Sequence, residues 1–462
     1  MKFVAAACGA GLEAGPGAEA AVVKNVSTDS RAVKAGDVFF AIRGEKFDGH
    51  DFVAAAAGRG AVAVVVERSK RDGTVSQVPP GCAVLAVDGV RAALGRLAGA
   101  YRREFSASVT AVGGSNGKTT SKELIAGVLR QKLATLWSEG SFNNEIGVPA
   151  TLLRLERGHQ AAVVEVGTNH PGELAPLVAM IQPKLGVITN IGREHLEFFG
   201  DVAGVAREEG WLAELLPADG KLFLDGDSPW AEELAGRTKA QVVRLGLGEQ
   251  NDWRASRVRL DKGGVTFQVT APNAEYSGEY RVNLLGRHQV LNALYAIGSG
   301  EEHGLGRAEI QRGLAECQPV KMRMQYWEAG GVRVLEDCYN ANADSMRAAL
   351  ETLCELPLQG RRVAVLGDMA ELGAQSEPAH AEIGRLAAEL KVGQLFAVGQ
   401  QAAAMARAAR EAGLTRVIEF GDVEAAIRAV KNFLKAGDVV LLKASRSSRL
   451  ERIAETLRPA KA

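Results

Sequence analysis

The sequence predicts an α/β protein built from three domains. Three observations carry this. Short Val-, Ile- and Leu-rich runs alternate with Ala- and Leu-rich amphipathic stretches along the whole chain. At 462 residues the chain is too long for one core, because domains hold roughly 100–200 residues each. The alternation also restarts twice, dividing the chain into blocks 1–86, 87–318 and 319–462.

In the first block, Asp37 to Ile42 and Ala61 to Val66 read as buried strands, with an Ala-rich helix from Phe52 to Arg59 between them, closed by Gly60. The stretch Ser69 to Gly81 carries Pro79-Pro80 and reads as a loop near a boundary. A helix from Asp88 to Arg103 leads into the second block. There, strands are expected at 108–112, 161–166, 185–189 and 221–224, followed by antiparallel alternation from Trp253 to Leu285 with a turn at Lys262-Gly263-Gly264. A helix around Gln289 to Ile297 closes it. In the third block, strands at 332–336, 362–366, 394–398 and 439–442 are separated by helices, the pattern of a doubly wound, Rossmann-like unit.

Composition narrows the function classes. Lys plus Arg and Asp plus Glu are both 55, so the formal net charge is zero, which argues against a nucleic-acid partner or an acidic membrane surface. Cys8, Cys82, Cys317, Cys338 and Cys354 form no CxxC pair and read as reduced thiols. The N-terminal apolar run is too short for a targeting segment, and no stretch approaches the roughly 20 apolar residues of a membrane span. A cytoplasmic protein without membrane insertion is expected, with a monomer as the simplest state.

The strongest local signal is Gly113-Gly114-Ser115-Asn116-Gly117-Lys118-Thr119-Thr120, after a strand and before the helical run Ser121 to Leu129. Glycines let several backbone N–H groups converge on one phosphate cluster. Lys118 adds a point charge, and Thr119 a hydroxyl ligand for Mg²⁺. Val112 stands where the longer GxxxxGK[ST] pattern has glycine, so the match is to the shorter GxxGK[ST] form. The central block is thereby a P-loop mononucleotide-binding domain. That leaves kinase, switch and ligase open. Glu165 ends an apolar strand, and His195 follows another in Thr189-Asn190-Ile191-Gly192-Arg193-Glu194-His195-Leu196. Strand C-termini face the crevice where α/β sheets bind ligands, so the two suggest a metal and phosphate crevice.

These motifs, with several others in order, resemble the Mur ligases, ATP-dependent amide-forming enzymes of peptidoglycan precursor synthesis. The resemblance spans nearly the whole chain. It rests on Ser115 to Thr120, on Asn143-Asn144-Glu145-Ile146-Gly147-Val148-Pro149, and on Asp337-Cys338-Tyr339-Asn340-Ala341-Asn342-Ala343-Asp344-Ser345. Leu366-Gly367-Asp368-Met369-Ala370-Glu371-Leu372-Gly373 and Lys443-Ala444-Ser445-Arg446 complete it. Within the family these motifs are most similar to the branch that joins D-alanyl-D-alanine to UDP-N-acetylmuramoyl-tripeptide, rather than to sister ligases that add one amino acid. A nucleotide-binding scaffold without activity is the alternative of another class.

The resemblance implies that ATP phosphorylates a substrate carboxylate and that an amine then displaces phosphate. It places the ATP phosphates on Gly114, Ser115, Asn116, Gly117, Lys118, Thr119 and Thr120. Mg²⁺ falls to Thr119 and Glu165, with His195 near a second Mg²⁺. Asn292 is implied at adenine, with His288 beside it, and Arg323, Asp337, Tyr339 and Asn340 close over the nucleotide. Lys118, Glu165, His195, Asn144 and Lys443 are the implied catalytic groups. Ser30, Arg31, Asp48, Gly49 and His50 are implied at the UDP-sugar end, and Asn143, Asn144, Ser445 and Arg446 near the peptide and phosphate.

The chain departs from the family in three places. Ala444 stands where glycine is usual and Ala343 where proline often is. Most Mur ligases also carry a lysine, carbamylated by CO₂, that helps hold the second Mg²⁺. This chain has no lysine between Lys184 and Lys221, and Glu209 falls at that position. A glutamate supplies the same charge on a shorter arm, so Glu209 is expected to replace the carbamate.

Overall fold

The computed structural model describes residues 1–13, 21–357 and 359–458. Three sheets follow one another along the chain. The first contains β1 (Gly11–Glu13), β2 (Asn25–Ser27), β3 (Asp37–Phe40), β4 (Ala63–Glu67) and β5 (Ala83–Val87), in the order β1-β5-β4-β3-β2. Strands β2 to β5 are parallel and β1 is antiparallel.

The second sheet has nine strands: β6 (Ser108–Gly113), β7 (Thr135–Trp137), β8 (Ala161–Glu165), β9 (Leu185–Ile188), β10 (Lys221–Asp225), β11 (Gln241–Gly246), β12 (Trp253–Asp261), β13 (Gly264–Thr270) and β14 (Gly278–Val282). Their order is β14-β13-β12-β11-β10-β9-β6-β8-β7. It is parallel from β7 to β12 and ends in an antiparallel meander. Strand β6 lies between β8 and β9, so the connections leave it in opposite directions. That is a switch point, where a crevice opens beyond the strand ends.

The third sheet holds β15 (Gln325–Ala329), β16 (Val332–Asp337), β17 (Arg362–Leu366), β18 (Gln394–Val398), β19 (Val417–Phe420) and β20 (Val439–Lys443), in the order β15-β16-β20-β17-β18-β19. It is parallel except for β15. The strands that bury both faces are near-continuous apolar runs, as helices on both sides of a parallel sheet require.

Strand β5 is the main difference from the sequence expectation. Pro79-Pro80 does not sit at a domain edge but introduces β5, which lies between β1 and β4 inside the first sheet. The stretch expected as loop also forms a short helix, Arg71–Val75. Strands β7, β11, β15 and β19 are short or half-exposed, so their apolar pattern is weak. The N-terminal apolar run is a helix, Lys2–Cys8, whose Val4, Ala5 and Cys8 complete the first core.

The helix Val90–Arg102 belongs to two domains. Val90, Ala93, Leu94 and Leu97 recur at helical spacing and pack on the first sheet. Its other face meets the central domain, where Ala98 joins the second core and Arg102 donates to the carbonyls of Ile181, Phe105 and Ala107.

Candidate active site

The phosphate loop leaves β6 at Gly113 and enters the helix Lys118–Leu129. Gly114 has φ +101°, and a Cβ there would lie 2.7 Å from the Thr189 nitrogen. Gly117 has φ +85°, and a Cβ would lie 2.6 Å from Asn292 Oδ1. Both positions need glycine for backbone angle and for space. The loop is braced from β9: Ser115 N–H donates to the Asn190 carbonyl at 2.8 Å, and Gly192 N–H to Ser115 Oγ at 2.8 Å. Asn190 also accepts from Asn116 N–H at 3.0 Å and donates to the Asn116 carbonyl at 3.0 Å. The result is a fixed cradle at a helix N-terminus, suited to phosphate.

Lys118 Nζ folds over this cradle. It donates to the carbonyls of Gly114 and Ser115 and lies 3.3 Å from Glu194 Oε2. Burial pushes its ammonium down, but Glu194, Glu209 and Glu165 outweigh that and raise it. Around it lie three oxygens with no hydrogen-bond partner: Thr119 Oγ1, Glu165 Oε2 and Glu209 Oε1. Their residues are at most 1% exposed. A buried polar atom left without a partner costs about 1–3 kcal/mol, so three at one phosphate loop need an occupant. A hydroxyl and two carboxylates are hard oxygen donors, the chemistry of Mg²⁺, which keeps its other positions for phosphate and water. Among the described residues there is no group of three or more His, Cys, Asp or Glu that could hold a metal ion.

Each carboxylate is also tied down. Glu165 Oε1 accepts from Asn143 Nδ2 at 2.9 Å, and its N–H donates to Ser138 Oγ at 3.1 Å. Glu209, at the end of the helix Val202–Glu209, accepts from Gly114 N–H at 2.6 Å. Burial pushes its carboxyl up to about 7 against the pull of Lys118.

Residues of the third domain reach this centre. Asn342 Nδ2 donates to Asn116 Oδ1 at 3.0 Å, and the hydroxyls of Tyr339 and Ser141 are hydrogen-bonded. The Arg323 guanidinium lies 4.3 Å above the Tyr339 ring. Arg193 pairs with Asp344 and Glu382 at 2.7 and 2.6 Å.

Other expected site residues are committed within the fold. His195 Nδ1 is bonded to Glu371, and that bond holds the Glu371 carboxyl below its ordinary range. Asn292 is buried, accepting from Ser121 Oγ at 3.0 Å and donating to Gln289 at 2.9 Å. His288 stands exposed at the start of that helix. Lys443 pairs with Asp337 at 2.6 Å and donates to the Asn340 carbonyl at 3.1 Å. Ser445 Oγ accepts from Ala370 N–H at 2.9 Å and donates to the Ala341 carbonyl at 3.1 Å, while Arg446 pairs with Glu451 at 2.9 Å. Asn144 Oδ1 accepts from the N–H groups of Ile146 and Gly147, capping the helix Gly147–Leu152. In the first domain Arg31 pairs with Asp29 at 2.8 Å near Ser30. His50 uses both ring nitrogens locally, one on Asp48 at 2.6 Å beside Gly49, the other accepting from Glu67 N–H at 3.0 Å.

Sequence reasoning missed Asn190, Glu194, Glu371 and Lys122 as partners. The first three lie within motifs already recognised, and Lys122 follows Lys118 by one helical turn.

Three family descriptions match the chain in order. "Mur ligase family, catalytic domain" covers residues 22–102, "Mur ligase middle domain" 112–300, and "Mur ligase, glutamate ligase domain" 322–446. The chain belongs to the Mur ligase family. The UDP-N-acetylmuramoyl-tripeptide–D-alanyl-D-alanine ligase of Bacillus subtilis is 34% identical over 97% of this Mur ligase and 96% of its own length. Crystal structure I of MurF from Acinetobacter baumannii superposes with a TM-score of 0.88 at 31% identity, covering 99% of this chain and 98% of that one. MurF from Thermotoga maritima, in complex with ADP, gives 0.82 at 26% identity over 94% and 97%.

Proposed function

We propose that this Mur ligase joins D-alanyl-D-alanine to UDP-N-acetylmuramoyl-tripeptide, using ATP, to form the pentapeptide precursor of peptidoglycan. The observation that carries it is the trio of buried, unpaired oxygens at the phosphate loop, in a chain similar end to end to ligases of that reaction.

The N–H groups of Gly114, Ser115 and Asn116 are donated to Glu209 and Asn190, so those of Gly117, Lys118, Thr119 and Thr120, with the Lys118 ammonium, bind the ATP phosphates and orient the γ-phosphoryl group toward the tripeptide carboxylate. Carboxylate oxygen attacks phosphorus, ADP leaves, and an acyl phosphate forms. The amine of D-alanyl-D-alanine then attacks the carbonyl carbon, loses a proton, and expels phosphate. Charge gathers on oxygens in both steps, so fixed donors and cations supply the stabilisation. Mg²⁺ on Thr119 and Glu165, with a second on Glu209, would neutralise phosphate charge there.

Glu209 stands as an oxygen donor that needs no CO₂, supported by its unpaired Oε1 and its bond to Gly114. His195, oriented through Nδ1 by Glu371, would keep Nε2 for a second Mg²⁺. The nucleoside end falls to His288, Asn292, Arg323 and Tyr339, where the Arg323 guanidinium lies over the Tyr339 ring. Asn143, Asn144, Lys443, Ser445 and Arg446 flank the peptide end, and Ser30, Arg31, Asp48, Gly49 and His50 the UDP-sugar end. The partition is proposed as 1–86, 87–318 and 319–462, the first bound falling one residue before the end of β5. The proposal takes the working unit as a monomer in the cytoplasm, where the five free cysteines stay reduced. Among the described residues no helix is long and apolar enough to cross a membrane.

The test is phosphate release from Mg²⁺ and ATP with the tripeptide, with and without D-alanyl-D-alanine, in CO₂-depleted buffer. Release that needs both substrates is expected. No release even after bicarbonate is restored would refute the assignment. Unchanged activity and Mg²⁺ dependence in Glu209→Ala would remove Glu209 from the metal set.

A further inference from the structure

One buried charge has no part in the roles above. Lys122 lies four residues after Lys118, on the same face of the helix and one turn deeper. Its side chain is wholly buried. The ammonium donates to the carbonyls of Ser138 at 2.7 Å and Gly140 at 2.6 Å and pairs with Glu123 at 2.7 Å. It stands 4.0 Å from Glu165 Oε2, the oxygen without a hydrogen bond.

Desolvating an ammonium is costly, and an apolar side chain of similar volume could fill the same space. What the ammonium adds is a link. Its acceptors belong to the arm 138–144, whose Ser138 hydroxyl holds Glu165 N–H and whose Asn143 amide holds Glu165 Oε1. The same arm reaches the third domain through Ser141 and Tyr339. A single buried cation thus ties the phosphate-loop helix to the arm that grips Glu165, and places a positive charge beside that carboxylate.

Resting on the ligase reading, we propose that Lys122 is a positioning residue. It fixes the 138–144 arm for the peptidyl substrate and, as counter-charge to Glu165, moderates how tightly a divalent cation is held.

The two parts predict opposed effects. Lys122→Met frees the arm and removes a positive charge, so the tripeptide binds more weakly while a divalent cation binds more tightly. Glu123→Gln keeps the arm but leaves the ammonium unscreened, so the cation binds more weakly and the tripeptide is unaffected. A merely structural residue would move these constants in one direction, together with thermal stability.

The experiment uses the full chain. Calorimetry measures UDP-N-acetylmuramoyl-tripeptide binding, and the electron paramagnetic resonance signal of free Mn²⁺ measures cation binding with ADP present. In Lys122→Met the tripeptide dissociation constant should rise about tenfold or more, the loss expected for charge-assisted hydrogen bonds. The Mn²⁺ constants of the two variants should move about threefold or more in opposite directions. Lys122→Arg, which keeps the charge, should recover part of the tripeptide affinity. An unchanged tripeptide constant in Lys122→Met, or Mn²⁺ shifts of the same sign, would overturn the proposal. Should Lys122→Met fail to fold, unchanged Mn²⁺ binding in Glu123→Gln is sufficient to overturn it. A wild-type chain that neither binds the tripeptide nor releases phosphate would instead refute the ligase reading.

Discussion

Replacing Glu209 by glutamine should stabilise the ligand-free chain while weakening its hold on Mg²⁺. The Glu209 carboxyl titrates near 7 rather than at 4.5, because burial opposes its charge more than Lys118 favours it. A folded value above the unfolded one means that ionisation is easier in the unfolded chain. The group therefore imposes no penalty below pH 4.5, where both states are protonated. It destabilises progressively as pH rises from 4.5 to 7, and its penalty is constant above. The full effect corresponds to roughly 3 kcal/mol. Glutamine keeps an oxygen for Gly114 N–H but brings an NH₂ group into a site with no evident acceptor, which costs about 1–3 kcal/mol, so the net gain above pH 7 is about 0–2 kcal/mol. Calorimetry without metal or nucleotide should show the variant's melting temperature, relative to wild type, rising by about 2 °C or more from pH 5 to pH 8. Equal melting at both pH values, or a less stable variant at pH 8, would refute the reasoning.

Four other outcomes follow from the structure. Gly114→Ala, forced into φ +101° and against Thr189, should lose at least about a hundredfold in ATP affinity by calorimetry. Arg193→Ala releases Asp344 and Glu382, weakening domain closure by about 1 kcal/mol in a salt-dependent way, and X-ray scattering should show a larger radius of gyration. Because the bond from Arg193 lowers the Glu382 carboxyl from 4.5, that latch is fully present above pH 4.5. It is lost only as pH falls through the lower folded value, so scattering in acid should show opening there. His50→Ala should lower thermal stability by about 1–3 kcal/mol, since it strands Glu67 N–H, and differential scanning calorimetry should show it in the absence of substrate.

The phosphate loop was legible because its chemistry is local: glycines, lysine and threonine within eight residues must form one cradle. Glu165 was legible because a carboxylate ending an apolar strand faces the crevice of an α/β sheet, although a solvated strand end reads the same way. Glu209 was legible only through resemblance, since an acidic residue in Arg207-Glu208-Glu209 otherwise reads as a solvated helix face. Residue types also conceal their partners. Asn144, His50 and Asn292 resemble ligand contacts in sequence, which does not show that their side chains also cap a helix, fix a turn and brace two helices. Pairings across domains, such as His195 with Glu371 or Asn116 with Asn342, join residues far apart in the chain and leave no periodic trace. Strand β5 was hidden by Pro79-Pro80, which signals a turn but not what the turn leads into.

The helix Val90–Arg102 also decides how the molecule can be cut and how it can move. It is a shared wall, with one face built into the first core and the other into the second. A fragment that starts after it would lose Ala98 and Arg102 from the central domain, and one that stops before it would bare Val38 and Leu85 in the first. The first two sheets are therefore one mechanical body. The third sheet meets that body through exchangeable ion pairs and hydrogen bonds and through a cluster that takes in Leu196, Phe199 and Leu285. Any opening of the third domain would thus be concentrated at a single seam, with the first two domains keeping their relative positions.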